Sequence, residues 1–169
     1  MKASRHLALP LLALAIGVGG YLTLDLPGPP QSVPQVAYTL LDGNVASTAQ
    51  WSGRVTLVNF WATSCAVCVQ EMPAIVETHE RFKARGFDTV AVAMQYDAPA
   101  SVAHYAQTRQ LPFGVAIDNT GVIAERFGGI RGTPTTLLVD KRGRVVKRYV
   151  GKPDFAQMHG LIEKLIAET

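Results

Sequence analysis

The chain has little cysteine and little charge. Its 169 residues include two Cys, and 17% of them are Asp, Glu, Lys or Arg. Two cysteines cannot build a disulfide-rich scaffold or supply the four ligands of a structural zinc site. The low charge and the 48% hydrophobic content exclude a disordered polyelectrolyte. Because the net charge is only +3, the chain also lacks a basic field of the nucleic-acid-binding type, and one globular domain with a buried core is expected.

The longest apolar run lies near the N-terminus. Residues 7–24 contain no charged side chain and, at about 1.5 Å per residue, would form a helix about as long as the hydrocarbon core of a bilayer is thick. Lys2 and Arg5 precede this run and Asp25 follows it, which favours a cytoplasmic N-terminus and an exported remainder. We therefore predict a membrane anchor over residues 1–26, with a cleaved signal peptide as the alternative.

A proline-rich segment separates this anchor from the rest of the chain. Four of the residues 27–34 are prolines, which favours an extended polyproline conformation that holds a domain away from the membrane. We predict a linker over residues 27–34 and one folded domain over residues 35–169.

Strand-like and helix-like segments alternate in that domain. The apolar run 55–62 predicts a strand covered on both faces, and residues 66–85 repeat apolar side chains at helical spacing. A hairpin is expected over residues 36–48. Other strands are expected at 88–95, 115–118, 135–140 and 145–150, and other helices at 99–109, 122–127 and 155–167. The alternation predicts an α/β fold with a central mixed sheet flanked by helices.

Both cysteines lie in one tetrapeptide, Cys65-Ala66-Val67-Cys68, between the strongest strand and the first long helix. A disulfide that closes so short a loop stabilises a fold by only about 2 kcal/mol, which argues against a structural staple. A thiol at a helix N-terminus faces free N–H groups and the positive end of the helix dipole, and both stabilise its thiolate. The position therefore favours a redox pair, with a copper(I) site formed by the two thiolates and Met72 as an alternative.

Three motifs resemble the thioredoxin superfamily and, within it, the membrane-anchored TlpA/ResA-type thiol–disulfide oxidoreductases. They are NFWATSCAVC at 59–68, EMP at 71–73 and GTPTT at 132–136. The resemblance covers about residues 35–168 and implies a thioredoxin-like fold with an N-terminal β-hairpin and a helix–strand insertion around 97–120. It also implies a single-pass protein of the inner (cytoplasmic) membrane whose catalytic domain faces the periplasm.

The resemblance further implies roles for matching residues. Cys65 would be the exposed attacking thiolate, and Cys68 the buried thiol that resolves the mixed disulfide. Pro134 would be a cis proline whose loop, together with Thr133, lies against the active site and pairs with the substrate backbone. From the residues alone, a trans proline that opens an edge strand would be the simpler expectation.

Three further residues near the motif have expected roles. Glu71 lies three residues after Cys68, hence on the same helix face, and the resemblance implies that it tunes the cysteine pair and carries protons. Trp61 is expected to wall the active site and bind substrate, with a place in the core as the alternative. Asn59 stands where thioredoxin has a buried Asp, so we expect that proton route to be absent.

The implied function is reduction of protein disulfides by the Cys65–Cys68 pair, with no other cofactor, no metal and no nucleic acid. A membrane reductase would supply electrons to an exported reductant. Cytochrome c biogenesis is the family's best-known setting, and copper-stress or oxidase-assembly pathways are others. A disulfide-introducing oxidase and a copper(I)-binding assembly factor are the alternative functions.

Overall fold

The computed structural model describes residues 31–168, and a mixed β-sheet of six strands forms the centre of this part of the chain. The strands are β1 (Gln31–Ser32), β2 (Ala37–Thr39), β3 (Val45–Ser47), β4 (Val55–Trp61), β5 (Phe87–Ala93), β6 (Gly114–Ile117), β7 (Thr135–Val139) and β8 (Arg144–Val150). The α-helices are α1 (Ala66–Phe82), α2 (Pro99–Thr108), α3 (Val122–Arg126) and α4 (Phe155–Ala167). Short 3₁₀-helices cover Thr48–Trp51 and Lys83–Arg85.

The sheet combines parallel and antiparallel pairing, in the order β1-β8-β7-β4-β5-β6. β5 runs parallel to β4 and to β6, whereas β7 is antiparallel to β4 and to β8, and β1 is antiparallel to β8. The predicted N-terminal hairpin is present as the pair β2–β3, and the predicted helix–strand insertion is present as α2 and β6. The predicted fold class is therefore confirmed.

The end of the predicted linker is wrong, because residues 31–34 belong to the folded domain. Gln31 and Ser32 pair with β8, and the N–H of Val33 donates to the carbonyl oxygen of Gly143 at 2.8 Å. The carbonyl oxygen of Pro34 accepts from the hydroxyl of Thr48 at 2.8 Å. Residues 31–33 are not prolines, so their backbone N–H groups are free to complete the edge of the sheet.

The predicted anchor over residues 1–26 and the first part of the linker lie outside the described residues. Between residues 31 and 168, no helix combines the length and the apolar character needed to cross a membrane.

Both faces of the sheet are buried, and β4 shows why its sequence is apolar throughout. Its side chains alternate between two cores, so that Leu57 and Trp61 lie on one face and Val58 and Phe60 lie on the other. The first core is completed by residues of α1, α2 and α4 (Met72, Ile75, Phe82, Val102, Met158, Ile162 and Leu165), and the second by residues of the hairpin, the first 3₁₀-helix and α3 (Tyr38, Trp51, Ile123 and Ala124).

The topology brings several chain segments together at one edge of the sheet. The parallel strands β4 and β5 end side by side at Trp61 and Ala93. β7 begins at that edge and β8 ends there, because Thr135 pairs with both Phe60 and Val150. We call it the cysteine edge, since β4 leads directly from it into the tetrapeptide 65–68. The opposite edge contains the turn 140–143 that joins β7 to β8.

Candidate active site

The two cysteines form a disulfide across the first turn of α1. Cys65 is the N-cap residue of this helix, and its sulfur accepts a hydrogen bond from the backbone N–H of Cys68 at 3.2 Å. After reduction, the same N–H group and the positive end of the helix dipole would favour the thiolate form of Cys65. The helix therefore places the first sulfur where a negative charge is stabilised.

The two sulfurs differ in their access to solvent. Cys65 is partly exposed, whereas Cys68 is 0% exposed and belongs to the core that packs under α1. Nucleophilic attack on another protein requires an accessible sulfur, and resolution of a mixed disulfide requires only the neighbouring cysteine. The geometry suits Cys65 for the first step and Cys68 for the second.

A buried polar cluster lies next to Cys68 on the same face of α1. Glu71 is 0% exposed, and its Oε1 accepts a hydrogen bond from the Nδ2 of Asn59 at 3.2 Å. The Nδ2 of Asn59 also donates to the Oγ1 of Thr136 at 2.9 Å, while the Oε2 of Glu71 has no hydrogen-bond partner among residues 31–168. Helix α1 therefore supplies the buried carboxyl group that β4 lacks at Asn59.

Burial changes the acidity of this carboxyl group. Desolvation raises the pKa of Glu71 to about 7, although the hydrogen bond from Asn59 and the positive charge of Lys152 act in the opposite direction. Glu71 can therefore gain or lose a proton near neutral pH. We expected the proton route of thioredoxin to be absent because Asn59 replaces its Asp, and the structure provides a titratable group one side chain away.

The Thr133–Pro134 peptide bond is cis, as the resemblance implied. The loop that contains this bond is held at the cysteine edge by two contacts. The carbonyl oxygen of Pro134 accepts from the N–H of Gly151 at 2.9 Å, and the Oγ1 of Thr133 lies 3.1 Å from the hydroxyl oxygen of Tyr96. Thr133 is half-buried and Tyr96 is 60% exposed, so this loop presents polar groups to solvent.

The predicted contact of Trp61 with a substrate is wrong for this structure. Trp61 is 0% exposed, and its ring packs against that of Tyr105 with the centroids 5.1 Å apart. The apolar run of β4 keeps this residue in the core, because the last residue of a strand covered on both faces stays beneath the helices. Trp61 packs in the same core as Cys68 and is not accessible to a substrate.

Sequence reasoning missed Asp97, which fixes the segment leading to Cys65. The Oδ2 of Asp97 accepts from the backbone N–H of Thr63, and its Oδ1 accepts from the Thr63 hydroxyl at 2.6 Å. Asp97 is only 6% exposed. A signal was available, because Asp97 follows the parallel neighbour of β4 and must therefore lie at the same edge of the sheet.

Over residues 31–168, no three His, Cys, Asp or Glu side chains come together in a group that could hold a metal ion. Met72, which the copper alternative invoked, is 1% exposed and lies one helical turn after Cys68.

A partly exposed cysteine paired with a buried one, at a helix N-terminus beside a cis-proline loop, defines a thiol–disulfide oxidoreductase of the thioredoxin-like class. The family model described as Redoxin matches residues 29–162, and the chain belongs to that family.

Curated relatives and solved structures agree with this class. The thiol-disulfide oxidoreductase ResA of Bacillus thuringiensis is 29% identical over 80% of this chain and 77% of its own length. The thioredoxin-like protein YneN of Bacillus subtilis is 30% identical over 72% of this chain and 71% of its own length. A thiol:disulfide interchange protein of Chlorobium tepidum superposes with a TM-score of 0.75 at 27% identity, over 84% of this chain and all of that one. The activity of this chain is therefore thiol–disulfide exchange at Cys65 and Cys68.

Proposed function

We propose that this protein is a reductant of disulfides in exported proteins and is tethered to the outer face of the cytoplasmic membrane. The observation that carries the proposal is the redox pair itself, with one accessible sulfur and one buried sulfur at the N-terminus of α1. Its export and tethering rest on the uncharged run 7–24, which follows Lys2 and Arg5.

Reduction proceeds in two exchanges. The Cys65 thiolate attacks one sulfur of the substrate disulfide, the substrate S–S bond breaks, and its other sulfur leaves as a thiolate that takes up a proton. The Cys68 thiolate then attacks the sulfur of Cys65, which forms the Cys65–Cys68 disulfide and releases the second substrate sulfur as a thiolate that takes up a proton. Two electrons pass to the substrate, and the protein ends in the state seen in the structure.

Glu71 supports the second exchange by taking up a proton. Cys68 is buried, which disfavours its thiolate, so its attack requires a group that accepts the thiol proton. The carboxylate of Glu71 is three residues away on the same helix face and has a pKa of about 7. Above that pH the carboxylate is ionised and can accept the thiol proton of Cys68.

The residues between the cysteines favour the reducing direction. Ala66 and Val67 are exposed and carry no charge, so neither contributes an imidazolium that would stabilise the thiolate further. Strong thiolate stabilisation gives oxidants near −120 mV, whereas thioredoxin lies near −270 mV. We expect a potential below about −200 mV for this protein.

The partners follow from this direction. After each turnover the Cys65–Cys68 disulfide of an exported reductant must be reduced again. We propose that the electron donor is a membrane reductase that carries electrons from the cytoplasm. The substrates of the exported reductant are protein disulfides. The resemblance to TlpA/ResA-type proteins favours one such substrate, the haem-attachment Cys-x-x-Cys of a c-type cytochrome.

The redox potential tests the proposal directly. The full-length chain in a non-ionic detergent is equilibrated with glutathione buffers, the free thiols are alkylated, and the mass increase gives the reduced fraction. A potential below about −200 mV supports the reductant, whereas a value near −120 mV would indicate a disulfide-introducing oxidase. Fractionation of cells that express the native chain gives the location, and a mature chain that begins near residue 25 in the soluble fraction would contradict tethering.

A further inference from the structure

Positive charge is concentrated in one stretch of the chain. Residues 126–152 contain eight of the 16 Lys and Arg residues but one of the 13 acidic residues. This stretch therefore carries a net charge of +7, and the remainder of the chain carries −4. It includes the cis-proline loop and the strands β7 and β8.

Some of these cations form an ion pair or hydrogen bonds inside the folded domain, at the edge of the sheet opposite the cysteines. Arg144 forms an ion pair with Asp140 at 2.6 Å. The Nζ of Lys141 donates to the carbonyl oxygens of Ile166 and Glu168 at 2.7 and 2.6 Å. These contacts join the β7–β8 turn to the end of α4, so these two side chains serve the stability of the fold.

Three other cations surround the cis-proline loop, and we call them the basic rim: Arg131, Arg148 and Lys152. Arg131 lies three residues before Pro134 in the same loop. Lys152 follows Gly151, whose N–H donates to the carbonyl oxygen of Pro134 at 2.9 Å.

Arg148 approaches the same loop from β8. Its Nη2 donates to the carbonyl oxygen of Phe127 at 2.6 Å. The same atom is close to Gly128, since a Cβ atom at that position would lie 3.0 Å from it. Phe127 and Gly128 lead from α3 into the cis-proline loop. The guanidinium group is therefore held beside this loop and stays exposed.

The basic rim faces solvent, and its three cations form no salt bridge within residues 31–168. All three side chains are exposed. Of the acidic residues at this edge, Glu71 and Asp97 are buried. A third, Asp154, caps α4 by accepting from the N–H and the Nε2 of Gln157 at 3.1 and 2.9 Å.

We propose that the basic rim binds acidic residues that flank the disulfide of the substrate protein. The inference rests on the proposed function, because a substrate whose sulfur reaches Cys65 must lay its chain across the neighbouring cis-proline loop. Carboxylates beside its cysteines would then meet three exposed cations, which speeds the encounter and favours acidic over basic partners. The rim selects the partner, and Cys65 performs the exchange.

An anionic membrane surface could attract the same cations, but the geometry favours a protein partner. The rim surrounds the cis-proline loop at the cysteine edge, so a bilayer seated on the rim would hinder the approach of a substrate protein to this edge. Binding to lipid is therefore a separate outcome of the test.

The test compares three peptides that contain the same internal Cys-x-x-Cys disulfide, flanked by Glu, by Gln or by Lys. The full-length chain in a non-ionic detergent is reduced with dithiothreitol, freed of reductant, and mixed with each peptide, and the second-order rate of thiol loss is measured. We expect the Glu-flanked peptide to react roughly tenfold faster than the Lys-flanked peptide at low salt. This ratio should approach one at about 0.5 M salt, because screening weakens exposed charges.

A variant with Arg131→Gln, Arg148→Gln and Lys152→Gln should lose most of the preference for the Glu-flanked peptide. The matched control removes three exposed cations from elsewhere: Arg85→Gln, Arg109→Gln and Lys164→Gln. This control has the same net charge as the rim variant and should keep the preference. Equal loss in both variants would mean that net charge, and not the rim, attracts acidic substrates.

The outcomes separate this inference from the proposed function. If the wild-type protein reduces all three peptides at equal rates, it is a reductant but the rim does not select acidic partners. If it reduces none of them, the proposed reductase function itself is contradicted. Flotation with vesicles of neutral or anionic phospholipid covers the remaining case: rim-dependent binding to anionic vesicles without a peptide preference would assign the rim to a membrane surface.

Discussion

The two edges of the central sheet each contain a buried carboxyl group, Asp140 and Glu71, and these two groups differ in how completely they are paired. At the opposite edge, both carboxylate oxygens of Asp140 accept hydrogen bonds. This carboxylate accepts from the backbone N–H groups of Arg142 and Arg144 at 3.0 and 2.9 Å and from the Nε of Arg144 at 2.7 Å. At the cysteine edge, the Oε2 of Glu71 has no hydrogen-bond partner in the described part of the chain, and neither do the buried Oδ1 of Asn59 and Nε1 of Trp61.

Because of this difference, the edge with Asp140 contributes to the stability of the fold, and the cysteine edge contributes to its chemistry. Hydrogen bonds to Asp140 stabilise its charged form and close the β7–β8 turn, so that edge contributes to folding. A buried carboxyl group with an unpaired oxygen costs stability but keeps a pKa near 7, which suits proton transfer at a redox pair. The structure thus places its incompletely paired carboxyl group beside Cys68, where a proton has to move.

The largest expected effect concerns the cysteines. Cys65→Ser should reduce disulfide exchange to the background rate, because no accessible nucleophile remains. Cys68→Ser should retain the first exchange and accumulate a mixed disulfide with the substrate through Cys65. Non-reducing electrophoresis and intact mass would show these products, and faster alkylation of Cys68 than of Cys65 in the reduced protein would reverse the assignment.

The next effect concerns Glu71 and its dependence on pH. Its folded-state pKa is raised from 4.5 to about 7, so the folded protein binds the proton more tightly and its stability falls as pH rises through this interval. Glu71→Gln should remove that loss and raise the free energy of unfolding at pH 8 by on the order of 3 kcal/mol. Denaturant titrations at roughly pH 5 and pH 8, one below and one above the folded-state pKa, would measure this difference.

The same variant should change the pH dependence of thiol alkylation, because the charge near the cysteines disappears. Glu77→Gln, an exposed position on the same helix, is the control and should alter neither measurement. Equal pH profiles for Glu71→Gln and the wild-type protein would place the ionisation elsewhere.

Asp140 should show the opposite dependence on pH and no effect on redox chemistry. Burial raises the pKa of Asp140, but the hydrogen bonds from Arg144 and Arg142 outweigh it and hold the pKa below its usual value. Its contribution to stability is therefore present above the unfolded pKa of 3.8 and is lost as the pH falls through the lower folded value. Asp140→Asn should lower the free energy of unfolding at neutral pH by about 2 kcal/mol. The redox potential should stay unchanged, and a shift in it would mean that the two edges are coupled.

The smallest expected effect concerns the contact between Thr63 and Asp97. Thr63→Val removes the donor to the Oδ1 of Asp97 and keeps the backbone bond, so it should cost about 1 kcal/mol of stability. It should also change the rate at which Cys65 is alkylated, because Thr63 leads into the N-cap of α1. Thr108→Val is a control, since the hydrogen bonds of this hydroxyl within residues 31–168 go to carbonyl oxygens of its own helix. An alkylation rate equal to that of the wild-type protein would show that Asp97 has no influence on the thiol.

Local signals in the sequence predicted most of the elements. The apolar run of β4, the helical spacing of α1 and the glycine that follows Arg85 define segments whose ends agree with the structure within a few residues. Gly86 has φ +85°, a conformation that favours glycine and ends the helical segment. The limits of these strands and helices depend on residues close together in the chain, which is why they can be predicted from a single sequence.

Local patterns predicted the mixed sheet, the redox pair and the nearness of Glu71 to Cys68, because period, motif and helical spacing act over a few residues. The side chains that meet across the sheet are set by the three-dimensional packing. It buried Trp61 beneath the helices, joined Asn59 to Glu71 and Asp97 to Thr63, and paired Gln31 with β8. These contacts join residues far apart in sequence, and the pairing order of the strands sets them, so no local pattern contains them.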